Sequence, residues 1–379
     1  MTDVVIAAYR RSPFHFANKG ELVKLRPDEM AAQVVKALVA EAGVDPATIE
    51  DVVVGCAFPE GEQGLNVAKL IALIAGLPEG VAGATVNRFC GSSMQSVHQA
   101  AGAIRMGAGE AFLCAGVESM SRVPMMGFNP MPHPGLAQDF PQAFVSMGET
   151  AENVARRHQV TRRDQEEFAA RSHRKAAEAQ AEGRLKDEIV PVALPGGRTV
   201  AEDGCIRPET TAEGLAGLKP AFRQDGTVTA GTSSPLTDGA TALLVCTAEY
   251  ARRHGLTPLA RVKSIAVAGC APEVMGMGPV EATRKALARA GIAARDLDVV
   301  ELNEAFASQA LACMRELGID EAKVNRDGGA IALGHPLGAT GARITGKAAQ
   351  VLQREGGRYA LATQCIGGGQ GIATVLEAV

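Results

Sequence analysis

Pro27-Asp28-Glu29-Met30-Ala31-Ala32-Gln33-Val34-Val35-Lys36-Ala37-Leu38-Val39-Ala40-Glu41-Ala42-Gly43, then Val44-Asp45-Pro46 and the run Asp51-Val52-Val53-Val54, decide the fold, because their order returns in the second half of the chain. Ala31, Val34, Val35, Leu38 and Val39 recur at helical spacing, and the valines after the Gly-Val-Asp-Pro turn read as a buried strand. Gly278 to Gly291 repeats the helix, with Ala282, Ala286 and Leu287 on its apolar side, and Asp298-Val299-Val300 repeats the strand. Val86-Asn87-Arg88 and Val324-Asn325-Arg326 each precede a glycine and a small-residue helix start. Apolar Ala111-Phe112-Leu113-Cys114-Ala115-Gly116 matches Tyr359-Ala360-Leu361-Ala362-Thr363 as a buried strand. Pairs of segments in one order indicate a duplicated plan. Helices alternating with short apolar strands imply α/β halves with parallel sheets covered on both faces.

Between the copies the pattern breaks. Residues 119–248 begin with Met- and Pro-rich coil (Val123-Pro124-Met125-Met126, Met131-Pro132-His133-Pro134), continue as charged helices and return to Gly/Pro-rich coil. The spacing predicts a core half over 1–118, an inserted loop or lid domain over 119–248 and a second core half over 249–379. Thr161-x-x-Asp164 predicts a capping box, followed by a helix that buries Phe168 and Ala169. Arg163, Glu166, Glu167, Arg171 and Lys175 of that helix read as a solvated face.

With 46% hydrophobic residues in 379, the chain has material for a sizeable core. A formal net charge of −4 offers no basic field for nucleic acid, so any anionic ligand must be held locally. The eight cysteines form no Cys-x-x-Cys pair and no array with zinc-ligand spacing, which predicts no metal site and fits reduced thiols. Val4-Val5-Ile6-Ala7-Ala8-Tyr9 reads as a strand, not as part of a signal peptide. No apolar run is long enough to span a bilayer and the chain ends Leu-Glu-Ala-Val, so the expected location is cytoplasmic.

Cys90 falls between the strand end Ala84-Thr85-Val86 and the helix start Gly91-Ser92-Ser93-Met94, where helix amides and dipole favour a thiolate. Its position alone does not displace the more usual reading of a cysteine as a small buried hydrophobe. The second half supplies further candidates: Asn303-Glu304-Ala305-Phe306, Gly328 to Gly338 around His335-Pro336, and Cys365-Ile366-Gly367-Gly368-Gly369-Gln370-Gly371. Each places a polar side chain at an element terminus. Cys365, after a buried strand and before a glycine-rich turn, sits as Cys90 does in the first half, and the duplication predicts that the two strand ends meet.

These segments identify a resemblance over essentially the whole chain to the thiolases, carried by Val86-Asn87-Arg88-Phe89-Cys90-Gly91-Ser92-Ser93-Met94-Gln95, Asn303-Glu304-Ala305-Phe306, Gly334-His335-Pro336 and the terminal Cys-x-Gly-x-Gly-x-Gly. The resemblance implies the thiolase fold, a duplicated five-layer αβαβα core with an inserted loop domain. It implies that Cys90 is acylated, that His335 takes its proton and that Cys365 exchanges a proton with the α-carbon of acetyl-CoA. Asn303 then positions a water at the thioester oxygen, and the amides of Cys90 and Gly367 stabilise oxyanions.

No permanently bound cofactor is implied; coenzyme A and 3-ketoacyl-CoA are substrates. For them the resemblance points to Ser234 at the pantetheine, Lys219 beside the adenine in place of the more usual arginine, Met147 and Met275 along the acyl pocket, and Phe306. Ser146-Met147-Gly148, where short-chain biosynthetic members carry His-Met-Gly, favours the β-oxidation branch, as do Ile206-Arg207-Pro208-Glu209-Thr210-Thr211 and Gly276-Met277-Gly278-Pro279-Val280. The alternative is an acetoacetyl-CoA thiolase working in the biosynthetic direction. Family members form homodimers or tetramers, and β-oxidation members also associate with a hydratase/dehydrogenase subunit. A decarboxylating ketoacyl synthase shares the duplicated plan but uses two histidines, and Cys365 stands where its second histidine would be. A non-catalytic CoA- or lipid-binding protein is opposed by the complete set of Cys90, His335, Asn303 and Cys365.

Overall fold

The computed structural model describes residues 2–379. Its principal strands are β1 (Val4–Arg11), β2 (Asp51–Gly55), β3 (Ala82–Val86), β4 (Ala111–Ser119), β5 (Thr237–Thr247), β6 (Ala260–Gly269), β7 (Val299–Leu302), β8 (Tyr359–Ile366) and β9 (Gln370–Glu377). The principal helices are α1 (Pro27–Ala42), α2 (Val67–Ile74), α3 (Ser92–Arg105), α4 (Met147–Arg157), α5 (Arg162–Ala181), α6 (Gly278–Ala290), α7 (Ala307–Leu317) and α8 (Leu337–Glu355).

The repeated segments become matching elements. α1 and α6 start with proline in the first turn and end on Gly43 and Gly291. Each then leads to the strand read from sequence, β2 or β7. The first half's sheet runs β3-β2-β4-β5-β1 and the second half's runs β7-β8-β9-β6. Where β3 would have its counterpart, Val324 makes a single parallel bridge to Val300 of β7. β1 and β6 join the halves through only two residue pairs, Val5 with Arg261 and Ile6 with Ala260.

The sheets are mixed, which corrects the parallel arrangement expected from helix–strand alternation. β2 pairs in parallel with β3 and β4, and β7 with β8, but β5, β1, β9 and β6 are antiparallel to their neighbours. The physical reason is connection length: β8 and β9 are separated by a short glycine turn that can only reverse the chain. β5 also corrects the expected limits of the insertion. It lies within 119–248, yet all its residues are buried and it pairs with both β4 and β1 as part of the first half's sheet.

Five layers result. α1 and α2 cover one outer face through Val34, Val35, Leu38 and Ile71, and α6 and α7 cover the other through Ala282, Ala286 and Leu311. α3 and α8 fill the space between the sheets, where Val97, Ile104, Ile344 and Val351 pack. α8 is almost wholly buried, so its neighbours constrain it on every side. A Cβ on Gly341 would run into the Met94 backbone, so glycine there sets how closely α8 approaches α3.

Charged side chains are buried in this frame. Arg11 donates to Glu188 Oε1 at 2.8 Å and to both Asp203 oxygens at 2.7 Å, while Lys347 of α8 reaches Glu188 at 2.9 Å and Asp327 at 2.8 Å. Removing one partner from such a pair costs about 3–5 kcal/mol because the other charge stays buried. The pairs therefore hold the inserted region firmly to β1 and α8. The capping box of α5 forms with both of its bonds, and Phe168 and Ala169 are buried. The solvated face expected on α5 is only partly present: Glu166 is buried against Arg162 at 2.7 Å, and Lys175 donates to the Val324 carbonyl at 2.9 Å. The reason is that α5 lies on the second half, so this side of the helix faces protein.

Candidate active site

Cys90 stands on a forced turn. β3 ends at Val86, Phe89 takes a left-handed φ of 42°, and α3 begins after Gly91. Non-glycine residues hold that conformation at a cost of roughly 1–3 kcal/mol. Here Asn87 Oδ1 accepts from the Phe89 amide at 2.8 Å, and Ser92 Oγ donates to the Phe89 carbonyl at 2.6 Å. The turn aims the Cys90 side chain away from the first half's outer core and into a cluster with Ala17, Ala57, Met120 and Leu337.

Cys365 is the penultimate residue of β8, paired with Gly371 of β9. Its neighbour Gln364 donates to the Cys90 carbonyl, tying the two strand ends together. Cys365 packs with Met275, Ala151, Phe306 and, at the edge, Met147.

His335 lies between Gly334, at φ 106°, and Pro336, which precedes α8. That φ excludes most side chains, and a Cβ on Gly334 would come 2.6 Å from Thr237 Cγ2. Thr237 Oγ1 also accepts from the His335 amide at 3.0 Å. The imidazole is held from both sides: Nδ1 is 2.7 Å from Thr340 Oγ1, and Nε2 is 3.3 Å from Asn303 Nδ2. Thr340 donates its only hydroxyl proton to the Pro336 carbonyl at 2.9 Å. Its oxygen must therefore accept from Nδ1–H, which leaves Nε2 as the basic nitrogen, an assignment made from the network.

The electrostatics depart from the expectation drawn from sequence. Burial pushes the Cys90 thiol up to about 11, with the Gly367 and Cys90 amides opposing and the Glu118 carboxylate adding to the rise. Burial, followed by the charge of Arg343, pushes His335 down to about 3. Cys365 is also raised, first by burial and then by Cys90. The resting pair is thus neutral thiol and neutral imidazole, not thiolate and imidazolium. The first amides of α3 do not serve Cys90 Sγ: Gly91 N–H donates to Arg88 O at 2.9 Å and Ser92 N–H to Phe89 O at 3.1 Å. Desolvation then outweighs the helix dipole.

The pH dependence follows. Below about 11 the Cys90 thiolate fraction rises tenfold per pH unit. Alkylation of Cys90 by iodoacetamide is expected to accelerate from pH 7 to pH 10 without levelling, followed by mass spectrometry of the labelled peptide. A plateau near neutrality would instead reveal a preformed ion pair.

A cavity of about 630 Å³ brings Cys90, His335 and Cys365 together, and Met147, Met275, Ser234 and Phe306 also line it. Ser233 bridges to Phe306, and Ser234 N–H donates to Ala305 O at 3.0 Å, fixing that wall. Asn303, fully buried, touches the site through His335. Gly367 contributes its amide at Cys90 Sγ. Lys219 is exposed and lies outside the cavity lining. Its backbone ends the short segment after Leu218, and only Ala221 and Phe222 turn inward.

Sequence reading missed Thr340, although its place five residues beyond His335 and near the start of α8 is a usable signal. It also missed Phe222, which meets the Phe306 ring edge-on at 5.9 Å. Phe16, Lys19 and the cavity role of Arg207 had no local signal, because remote segments bring them to the wall.

Residues 4–249 match the family model described as thiolase, N-terminal domain, and residues 256–378 match thiolase, C-terminal domain. A Bacillus subtilis (strain 168) protein named 3-ketoacyl-CoA thiolase is 48% identical, with 100% of each chain covered. Proteins of the same name from Pseudoalteromonas translucida and Vibrio cholerae are 50% and 49% identical, again over 100% of each chain.

Proposed function

The chain belongs to the thiolase family and is an acyltransferase, and we propose that it cleaves 3-ketoacyl-CoA with coenzyme A to give acetyl-CoA and a shortened acyl-CoA. The observation that carries this reading is the meeting of two thiols, Cys90 beyond the end of β3 and Cys365 near the end of β8, with one imidazole in one cavity.

Cys90 Sγ attacks the 3-keto carbon while His335 Nε2 takes the thiol proton. Because both groups rest neutral, attack and proton transfer are coupled and no stored thiolate is needed. The bond between C2 and C3 then breaks, its electron pair forms the acetyl-CoA enolate, and Cys365 delivers a proton to C2. The thiol of a second CoA gives its proton to the Cys365 thiolate and attacks the acyl group on Cys90; the Cys90–acyl bond breaks and Cys90 leaves as a thiol with the proton held on His335. The amides of Cys90 and Gly367, which already approach Sγ, serve the oxyanion on the acyl carbon. Asn303 Oδ1 has no protein partner and is the acceptor for a water at the thioester oxygen.

Ser234, Met147, Met275 and Phe306 form the pantetheine and substrate walls in this reading, with exposed Lys219 at the adenine end. Coenzyme A and the ketoacyl thioester are substrates, with no permanently bound cofactor. The outer edge of β3, last in its sheet, supports a homodimer or tetramer. A hydratase/dehydrogenase subunit is the proposed hetero-partner. Among the described residues no helix is long and apolar enough to cross a membrane; the proposed location is the cytoplasm.

The test is thiolysis of acetoacetyl-CoA against a longer 3-ketoacyl-CoA. The longer substrate is expected to show the higher kcat/KM, since the methionine-lined wall beyond Cys90 contributes only when a chain fills it. A strong preference for acetoacetyl-CoA would favour the biosynthetic alternative.

A further inference from the structure

The cavity has two arms that differ in chemistry. On the Cys365 side it is lined by Met147, Phe222, Ser234, Met275 and Phe306, with no charged side chain. On the other side Cys90 packs with Ala17, Met120 and Leu337, Leu236 O accepts from the Ala17 amide at 2.8 Å, and adjoining Phe16 carries the two cations of the lining, Lys19 and Arg207. No aspartate or glutamate lines either arm.

Lys19 Nζ lies 4.3 Å and the Arg207 guanidinium 5.8 Å from the centroid of the Phe16 ring. Among the described residues neither makes a salt bridge to a carboxylate, and Arg207 Nε is buried without a partner. Arg207 otherwise meets only the His173 ring, which burial and Arg207 itself drive down to about 4. Nearby Arg11, by contrast, is fully neutralised by Asp203 and Glu188.

These cations sit on a rigid frame. The Arg11–Asp203 pair is wholly buried, Asp203 Oδ1 accepts from the Phe14 amide at 2.8 Å, and the Gly204 amide donates to Phe14 O at 2.8 Å. The segment carrying Phe16 and Lys19 is thereby locked to the one carrying Arg207. Unpaired cations held around an aromatic ring at a cavity wall form a preorganised anion subsite.

The order of atoms in the substrate says which anion this is. The thioester and C2 must face Cys365, C3 must reach Cys90, and C4 onward must continue past Cys90, away from Cys365. CoA phosphates belong to the thioester end. We propose that the arm beyond Cys90 takes an acyl chain ending in a carboxylate, received by Lys19 and Arg207 after its methylenes pass Met120 and Leu236. This rests on the thiolase reading above and narrows its substrate class to ω-carboxylated 3-ketoacyl-CoA.

The experiment compares two 3-ketoacyl-CoAs of equal carbon number, one ending in a methyl group and one in a carboxylate, with the full-length protein. The carboxylate substrate is expected to have about tenfold higher kcat/KM, equivalent to ~1.4 kcal/mol, an advantage that shrinks as salt is added. Lys19→Met and Arg207→Gln are each expected to lower the ratio of the two kcat/KM values severalfold, and Lys19, being exposed, makes the variant least prone to misfold. Equal or better cleavage of the methyl substrate, with a ratio unmoved by either substitution, would overturn the assignment while leaving the thiolase reading intact. A parallel rise in KM for both substrates in the variants would assign the cations to CoA phosphates and overturn it equally. Absence of cleavage of either substrate by the unaltered protein would overturn the thiolase reading itself, and this one with it.

Discussion

Cys90→Ala is expected to lower kcat for thiolysis by on the order of 10⁴-fold or more, the scale seen when a covalent nucleophile is removed. Nothing else in the cavity replaces it. Cys365 is the other thiol there, but its packing among Met275, Ala151 and Phe306 places it on the far side of the reacting bond. The proposed mechanism requires the acyl group to remain bound while the first product departs, so without Cys90 no acyl-enzyme is expected to form. The measurement is intact-protein mass spectrometry after mixing with acetyl-CoA, alongside steady-state thiolysis. The unaltered protein is expected to gain an acetyl group on Cys90 and the variant to gain none. An acetyl group on Cys365 with turnover retained would assign the nucleophile to the second half instead.

Cys365→Ser separates the two halves of the reaction. A serine hydroxyl is far less acidic than a thiol, so proton exchange at C2 is expected to fall by about 10²–10⁴-fold, the usual contribution of a positioned acid or base. Acylation of Cys90 by acetyl-CoA should persist, because that step uses Cys90, the His335 imidazole and the Gly367 amide, none of which is altered. Serine at this position is nearly isosteric and the site is fully buried in strand β8, so the fold is expected to survive. The expected signature is an acetylated enzyme that neither condenses nor cleaves. Normal turnover by this variant would remove Cys365 from the mechanism.

Both predictions depend on two thiols that resemble each other in position and differ in surroundings. Cys90 has amides from Gly367 and its own backbone directed at Sγ, whereas Cys365 is raised in pKa by burial and by Cys90 itself. The first environment suits a group that becomes acylated beside an oxyanion site. The second keeps a thiol protonated, ready to give its proton to carbon.

Much of this was legible in the chain. Apolar periodicity defined α1 and α6, the valine runs defined β2 and β7, and the capping box at Thr161 defined the start of α5, because each depends on side chains a few residues apart. Those signals were enough to place Cys90 just past one strand end and Cys365 near another. His335 between Gly334 and Pro336, and Asn303 at the end of β7, were readable for the same reason: local backbone chemistry dictates a terminus or a turn.

Tertiary structure decided what depends on remote atoms. β5 was read as part of an insertion because its order in the chain does not disclose that it lies between β4 and β1. The charge state of Cys90 was misjudged because the helix dipole can be read from sequence whereas the degree of desolvation cannot. Lys19 and Arg207 were not connected at all, since the buried Arg11–Asp203 pair that brings their segments together spans the fold. Sequence alone thus determined the duplicated framework and the element ends at which the proposed reacting groups stand, through short-range periodicity and turn chemistry. Burial and long-range pairing, which exist only once the halves have packed, determined their protonation and brought Lys19 and Arg207 to the cavity wall.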